Sequence, residues 1–339
     1  MNIKKIGLTA LAGSLAMVSA NAVELAVTGK TEITYMTNDI ESTGNPFGMG
    51  NAISFNGSGD VNGMTASYFA AIQDNGAASS TTSEVFASSS LMLDMGDMGT
   101  VGFDQGVGEF GVGTIDDMMP YAYEEIWNHT GLNRGLRAAG DTNALGYKNT
   151  YMGYNLSVEL DPGHGAGSAN GDSGSTGVGT TDKGYNFAVT TSSLYEGLNT
   201  GFGYGTEEHG DTLSDSENAD ETYATVFAKY AFGGATVGYQ MAQGRGGSAG
   251  TVAHDVQIMG ASFSVNENLS VSVNQMDIDF IKGGEANVEE TTRGIGVSYT
   301  MGSAAIRIVS TEVENKGGEA DELLAPDVQQ TELSLMLAF

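Results

Sequence analysis

TELSLMLAF, residues 331–339, is the stretch whose reading decides the fold. Leu333, Leu335, Leu337 and Phe339 share one face of an extended chain, with Glu332, Ser334 and Met336 on the other. One face suits oil; the other carries a carboxylate and a hydroxyl. The chain stops on the aromatic, inside the predicted strand and without a polar tail. In a soluble sandwich this is a half-buried strand, and in a membrane it is a strand between lipid and water, so the rest of the chain has to decide.

At the other end, residues 1–22 carry Lys4 and Lys5, an apolar stretch over 6–18 broken by small residues, and Ala20-Asn21-Ala22. That is the layout of a secretory signal with a small-x-small cleavage site, cut after Ala22 and leaving a single domain over 23–339. The apolar stretch is shorter than the ~20 residues a membrane helix needs. A lipid-anchoring cysteine is absent, since the chain has no cysteine at all.

Composition narrows the mature chain further. Without cysteine, neither disulfides nor thiolate metal sites explain its stability. The 42 acidic residues against 13 basic ones weigh against nucleic-acid binding, which needs a basic footprint. Over the full chain glycine is abundant (50) and proline scarce (4), and no apolar run is long enough for a membrane helix.

Alternation and turn residues predict sixteen strands, at 24–36, 51–60, 64–73, 84–94, 99–106, 143–149, 152–161, 183–192, 197–207, 221–232, 234–243, 254–264, 267–277, 289–300, 303–313 and 329–339. Short connections, such as 60–63, 149–150, 232–234 and 301–303, alternate with long ones, such as 37–50, 107–142, 161–182 and 314–328. A closed antiparallel transmembrane β-barrel predicts this sorting, with tight turns on the periplasmic side and long loops outside. An even strand count lets the first strand pair with the last, so that no backbone edge is left unpaired in lipid.

Side chains follow the same logic. On the first strand Leu25, Val27, Ile33 and Tyr35 oppose Glu24, Thr28, Lys30, Glu32 and Thr34. On the thirteenth, Leu269, Val271 and Val273 oppose Ser270, Ser272 and Asn274; on the fifteenth, Val309 spoils the alternation by sharing the parity of Arg307. Sixteen strands enclose a bore too wide for side chains to fill, so the polar face is expected to line water. Tyr35, Tyr147, Tyr151, Tyr230, Phe232, Tyr299 and Phe339 lie near predicted strand ends, where a membrane places its aromatic belts.

Four features together resemble the Gram-negative general porins, the trimeric sixteen-stranded type, over essentially the whole mature chain. They are the first strand over 23–35, Gly99-Thr100-Val101-Gly102-Phe103 leading into a very long third loop, Leu145-Gly146-Tyr147-Lys148-Asn149 after it, and the terminal phenylalanine. The resemblance implies a homotrimer in the outer membrane, in contact with its lipid and lipopolysaccharide. It also makes Leu333, Leu335, Leu337 and Phe339 similar to the signal read by the barrel-assembly machinery.

The resemblance further implies that the third loop, 107–142, folds into the lumen and narrows it. Loops of this length without structure of their own are usually functional. Asp117-Met118-Met119-Pro120 is similar to an Asp-Met-Leu-Pro stretch of enteric porins, which places Asp117 at the constriction. Where the family motif continues with Glu, this chain has Tyr121, followed by Glu124 and Glu125, so the second constriction acid is left open. Asp104 and Asp116 join the candidates, against the alternative of a solvated loop face.

Family walls carry clustered arginines, and this sequence is sparse in them. Lys148 stands where a wall arginine often occurs, and Lys30, Glu32 and Arg307 have lumen-facing parity. Arg134 and Arg137, late in the loop, read equally as fasteners for its acids or as contacts for solute. The implied function is a water-filled channel for passive diffusion of small hydrophilic solutes and ions. With acids in excess, cations should be preferred over anions.

Other classes fit less well. His129, His164, His209 and His254 lie in or beside predicted outer loops without metal-ligand or nucleophile spacing, so neither an enzyme, a cofactor nor a metal site is expected. The alternative is a secreted or surface-exposed glycine-rich adhesin, but the low-complexity stretch is confined to 163–181 and no repeat period appears. Membrane extraction separates the two: a barrel needs detergent, whereas an adhesin is soluble. The acidic outer loops 207–221 and 312–327 leave two readings open, a site for divalent cations bridging to lipopolysaccharide phosphates or a merely solvated surface.

Overall fold

In the computed structural model, the residues described are 24–39, 44–74, 88–126, 142–162, 164–165, 179–209, 218–248, 253–281, 288–319 and 327–339. The signal expected over 1–22 lies outside them. Sixteen long strands form the sheet: β1 (Glu24–Asn38), β2 (Phe47–Val61), β3 (Met64–Asp74), β4 (Ser88–Asp94), β5 (Thr100–Gln105), β6 (Thr142–Tyr151), β7 (Tyr154–Asp161) and β8 (Gly179–Thr191). There follow β9 (Leu198–His209), β10 (Asn218–Phe232), β11 (Ala235–Ser248), β12 (Ala253–Ser264), β13 (Leu269–Ile281), β14 (Glu289–Met301), β15 (Ala304–Glu314) and β16 (Val328–Ala338). A two-residue strand, His164–Gly165, pairs onto the outer end of β8.

Each strand pairs antiparallel with its chain neighbour, and β1 pairs antiparallel with β16 from Lys30↔Ala338 to Asn38↔Gln330. The sheet is therefore a closed barrel, which satisfies the backbone where no water can. Its turns follow local chemistry. Asn62 and Gly63, at φ 55° and 83°, make the two-residue turn that fits the strand twist. Met152-Gly153 makes the same turn at φ 50° and 82°, with an L side chain in the left-handed region.

Burial is inverted relative to a soluble protein. On β16, Leu335 is 44% exposed while Ser334 is fully enclosed. Leu25, Val27 and Ile33 on β1 are exposed in the same way, so the apolar face points outward and the polar face into the bore. Phe339 completes the last strand: its N–H donates to the Gly29 carbonyl at 2.9 Å, and the Gly29 N–H donates back at 2.7 Å. Its ring covers Gly29 so closely that a Cβ there would overlap it.

Two expectations need correction. Several strands run further outward than predicted: β2 begins at Phe47, β11 reaches Ser248 and β13 reaches Ile281. On β11 and β13 the added outward residues are mostly polar or charged, such as Arg245 paired with Asp255 at 2.5 Å, so alternation no longer marks them. On β2 the added Phe47 and Met49 still point outward. Nor does the inner face line water everywhere. Val256, Ile258, Met276, Ile278 and Phe280 on β12 and β13, with Phe227 on β10, are buried in one cluster beneath Ile115, Met119 and Ile126 of the third loop. Val309, which spoiled the alternation of β15, is fully buried on the inner face. Predicted strand residues 84–87 lie outside the described residues.

Candidate functional site

The third loop leaves β5 and turns at once into the bore. Asp104 directs the turn, its two carboxylate oxygens accepting from the N–H groups of Val107 at 2.8 Å and Glu109 at 2.5 Å. Phe110 then lies fully buried over Gly102 and Gly146, adjacent inward positions on β5 and β6, where a Cβ would collide with its ring. Lys148 on β6 pairs with Glu109 at 2.8 Å and sits 5.4 Å from the Phe110 ring centre.

From there the loop follows the inner wall strand by strand. A 3-10 turn, Gly111–Ile115, donates from Gly111 N–H to Ser157 on β7 (2.8 Å) and from Val112 N–H to Asn186 on β8 (2.7 Å). The methyls of Val112 and Ile115 rest on Gly203 of β9. On β11 the buried Gln240 donates to the Ile115 carbonyl (2.9 Å) and accepts from Met118 N–H (3.1 Å). On β13, Asn274 donates to the Pro120 carbonyl (3.0 Å) and Ser272 accepts from Ala122 N–H (2.9 Å). Gly238, Gly260 and Gly294 make room for Met119, Pro120 and Ile126.

At Tyr123 the loop meets the seam between β16 and β1. The Tyr123 hydroxyl lies 3.0 Å from Glu32 Oε1 and 2.7 Å from Glu332 Oε1, and Arg307 stacks 4.5 Å from its ring centre while pairing with Glu32 at 2.8 Å.

Away from the wall, the loop carries acid. Asp117 and Glu125 lie close enough to share a proton, with the Tyr121 hydroxyl within reach of both and Asp116 beside them. Burial is the main cause that pushes the Asp117 carboxyl far up, reinforced by Glu125 and Asp116; its Oδ1 is enclosed without a donor. Burial and Glu125 also lift Asp116 to about 6, against backbone hydrogen bonds that hold it lower. Glu124 faces a cavity of about 300 Å³ whose other walls include Lys30, Glu32, Gly48, Gly50 and Ala52 of β1 and β2. A larger cavity, about 1090 Å³, borders the loop's first half and includes Lys148, Glu109, Asn149, Asn155 and Ser157.

The predicted residues thus fall into three groups. Asp116, Asp117 and Glu125 come together, and Glu124 faces Lys30 across the small cavity. Asp104 stands at the foot of the loop, bound to its backbone, while Lys148 pairs with Glu109 at the loop's entry and Arg307 pairs with Glu32 on the wall beside Tyr123. Arg134 and Arg137 lie outside the described residues. Sequence reasoning missed Glu109, Tyr123, Gln240 and the wall glycines. The glycines did leave a signal, since they recur at inward positions of neighbouring strands.

A closed sixteen-strand barrel with an apolar exterior and a loop folded across a polar bore defines an outer-membrane channel. The Gram-negative porin family model matches residues 7–318, and the chain belongs to that family. It is an outer-membrane porin.

Solved structures agree on the fold. An OmpF from Salmonella typhi in complex with daunomycin is 11% identical, with a TM-score of 0.67, 94% of this chain and 99% of that one covered. The OmpT outer-membrane protein of Vibrio cholerae is 13% identical at a TM-score of 0.65, covering 94% and 98%. An anion-selective porin from Comamonas acidovorans is 15% identical at 0.62, covering 94% and 100%. A sequence search of curated proteins finds no match.

Proposed function

We propose that this porin passes small hydrophilic solutes and ions by passive diffusion, without a catalytic step, and that it prefers cations. The observation that carries the preference is how the bases are used. Of the inward bases, Lys148 is held by Glu109 at the loop's entry and Arg307 by Glu32 beside Tyr123, while Lys30 and Lys229 share the inward face. The side of the loop away from the wall carries Asp116, Asp117, Glu124 and Glu125. Across from it the register puts Ser54, Ser58, Ser67, Ser88 and Ser90 on the same face as Lys30.

An excess of carboxylates over bases along the loop gives the passage a negative potential, which draws cations in and repels anions. Zero-current potential in planar bilayers under a KCl gradient tests this. The sign of potassium permeation is expected, and the sign of chloride permeation would overturn the reading.

Export by a signal over 1–22 and assembly as a homotrimer rest on the leader pattern and the general-porin resemblance. The expected partners on that basis are the barrel-assembly machinery and lipopolysaccharide. Mass measurement of the purified chain tests the cleavage after Ala22, and migration of the unheated, detergent-extracted protein tests the trimer.

A further inference from the structure

We propose that Tyr123 joins the channel's constriction to the barrel's closing seam, so that the third loop both narrows the bore and fastens β1 to β16 from inside. Closure is the one pairing that links the first and last strands, and at this place three strands converge on one loop side chain. Glu32 comes from β1, Glu332 and Ser334 from β16, and Arg307 from β15. The Glu32 carboxylate accepts from Tyr123, from Arg307 and from Ser334, the last in a very short hydrogen bond.

The geometry fits a fastener better than a solute contact. Ser334 is fully enclosed and Glu332 nearly so, and the Arg307 guanidinium sits over the Tyr123 ring. A phenol has one hydrogen, so it donates to one carboxylate at a time, and burial with the Glu332 hydrogen bond pushes its own ionisation well up, keeping it a donor. Further along the wall the same seam is clasped by the reciprocal backbone bonds of Gly29 and Phe339. Tyr123 is therefore a positioning residue. It fixes the neighbouring Tyr121, Glu124 and Glu125, and it does so only when β1 and β16 are already paired.

Tyr123→Phe keeps the ring over Arg307 and removes both hydroxyl contacts. Losing a hydrogen bond to a charged group should raise the unlatched population roughly tenfold or more. The test compares this variant in two backgrounds, the parent and a Thr37→Cys/Thr331→Cys pair, which face each other across the seam and, in a chain without other cysteines, form one disulfide. In both backgrounds Tyr123→Phe should increase single-channel conductance and open-channel noise. The temperature at which the folded band is lost on gels should fall only where the disulfide is absent.

Parent-like conductance and noise would overturn the proposal. So would a conductance change that the disulfide abolishes, because the tyrosine would then act through barrel integrity alone. Assembly restored by the disulfide supports it, and failure to assemble even with the seam locked counts against it.

Discussion

Asp116→Asn should stabilise the folded channel at neutral pH and weaken its cation preference, with both effects fading on acidification. Burial raises the Asp116 carboxyl from 3.8 to about 6. A shift of about two pH units, at ~1.36 kcal/mol per unit, corresponds to roughly 3 kcal/mol of stability that the folded state forfeits by holding this group ionised. The sign follows from proton counts. Between about pH 4 and 6 the folded chain binds more protons than the unfolded one, so stability declines as pH rises through that window and stays reduced above it. Below the window both states are neutral at this position and the penalty vanishes.

Asparagine keeps an oxygen for the backbone donors and never carries the charge. Denaturant unfolding of the chain in detergent, followed by gel migration at about pH 7.5 and about pH 4, should show the gain at the higher pH and little at the lower. Zero-current potentials in the same two buffers should differ between parent and variant only at the higher pH. An equal stability gain at both pH values, or a loss at neutral pH, would refute the argument.

Other perturbations address the fold and the loop's bed. Gly146→Ala puts a Cβ into the Phe110 ring and should cost about 1–3 kcal/mol, with a rise in single-channel conductance as the loop lifts. Met152→Gly relieves an exposed left-handed residue and should stabilise the barrel by about 1 kcal/mol in the same unfolding assay. Deleting Phe339 removes the clasp on Gly29 and should lower surface levels, measured by outer-membrane fractionation, before it changes the conductance of channels that do assemble. Normal surface levels in that variant would count against a role for the residue in assembly.

What the sequence reveals and what it hides divide along a physical line. Strands such as 24–36 and 331–339 are legible because lipid and water impose opposite demands on alternate residues. Where the inner face is packed rather than wet, as at Val256, Ile258 and Met276, the outward neighbours Asp255, Gln257, Gln275 and Asp277 are polar, so the alternation is inverted and parity alone reports the wrong face. The same holds for the loop. Its acids stand out as a run of carboxylates, but their grouping depends on a bed made of glycines, whose meaning appears only when strand register brings Gly102 beside Gly146 and Gly238 beside Gly260. Glu109 and Tyr123 were invisible for a related reason, since their partners lie on strands far away in sequence.

That division bears on how the channel acquires its charge. Counting inward residues by parity sets Lys148 and Arg307 against the loop's acids across the bore, as a transverse field would require. Geometry assigns them elsewhere: one holds Glu109 where the loop enters, and the other holds Glu32 where Tyr123 meets the seam. Both ion pairs are partly shielded, and each neutralises a base that would otherwise face solute. The proposed negative potential of the passage would therefore owe something to bases withdrawn to anchor the loop as well as to its acids. A substitution that frees either base would change loop position and selectivity together, so the two properties are not separable at Lys148 or Arg307, whereas at Lys30, which faces Glu124 across open space, they are.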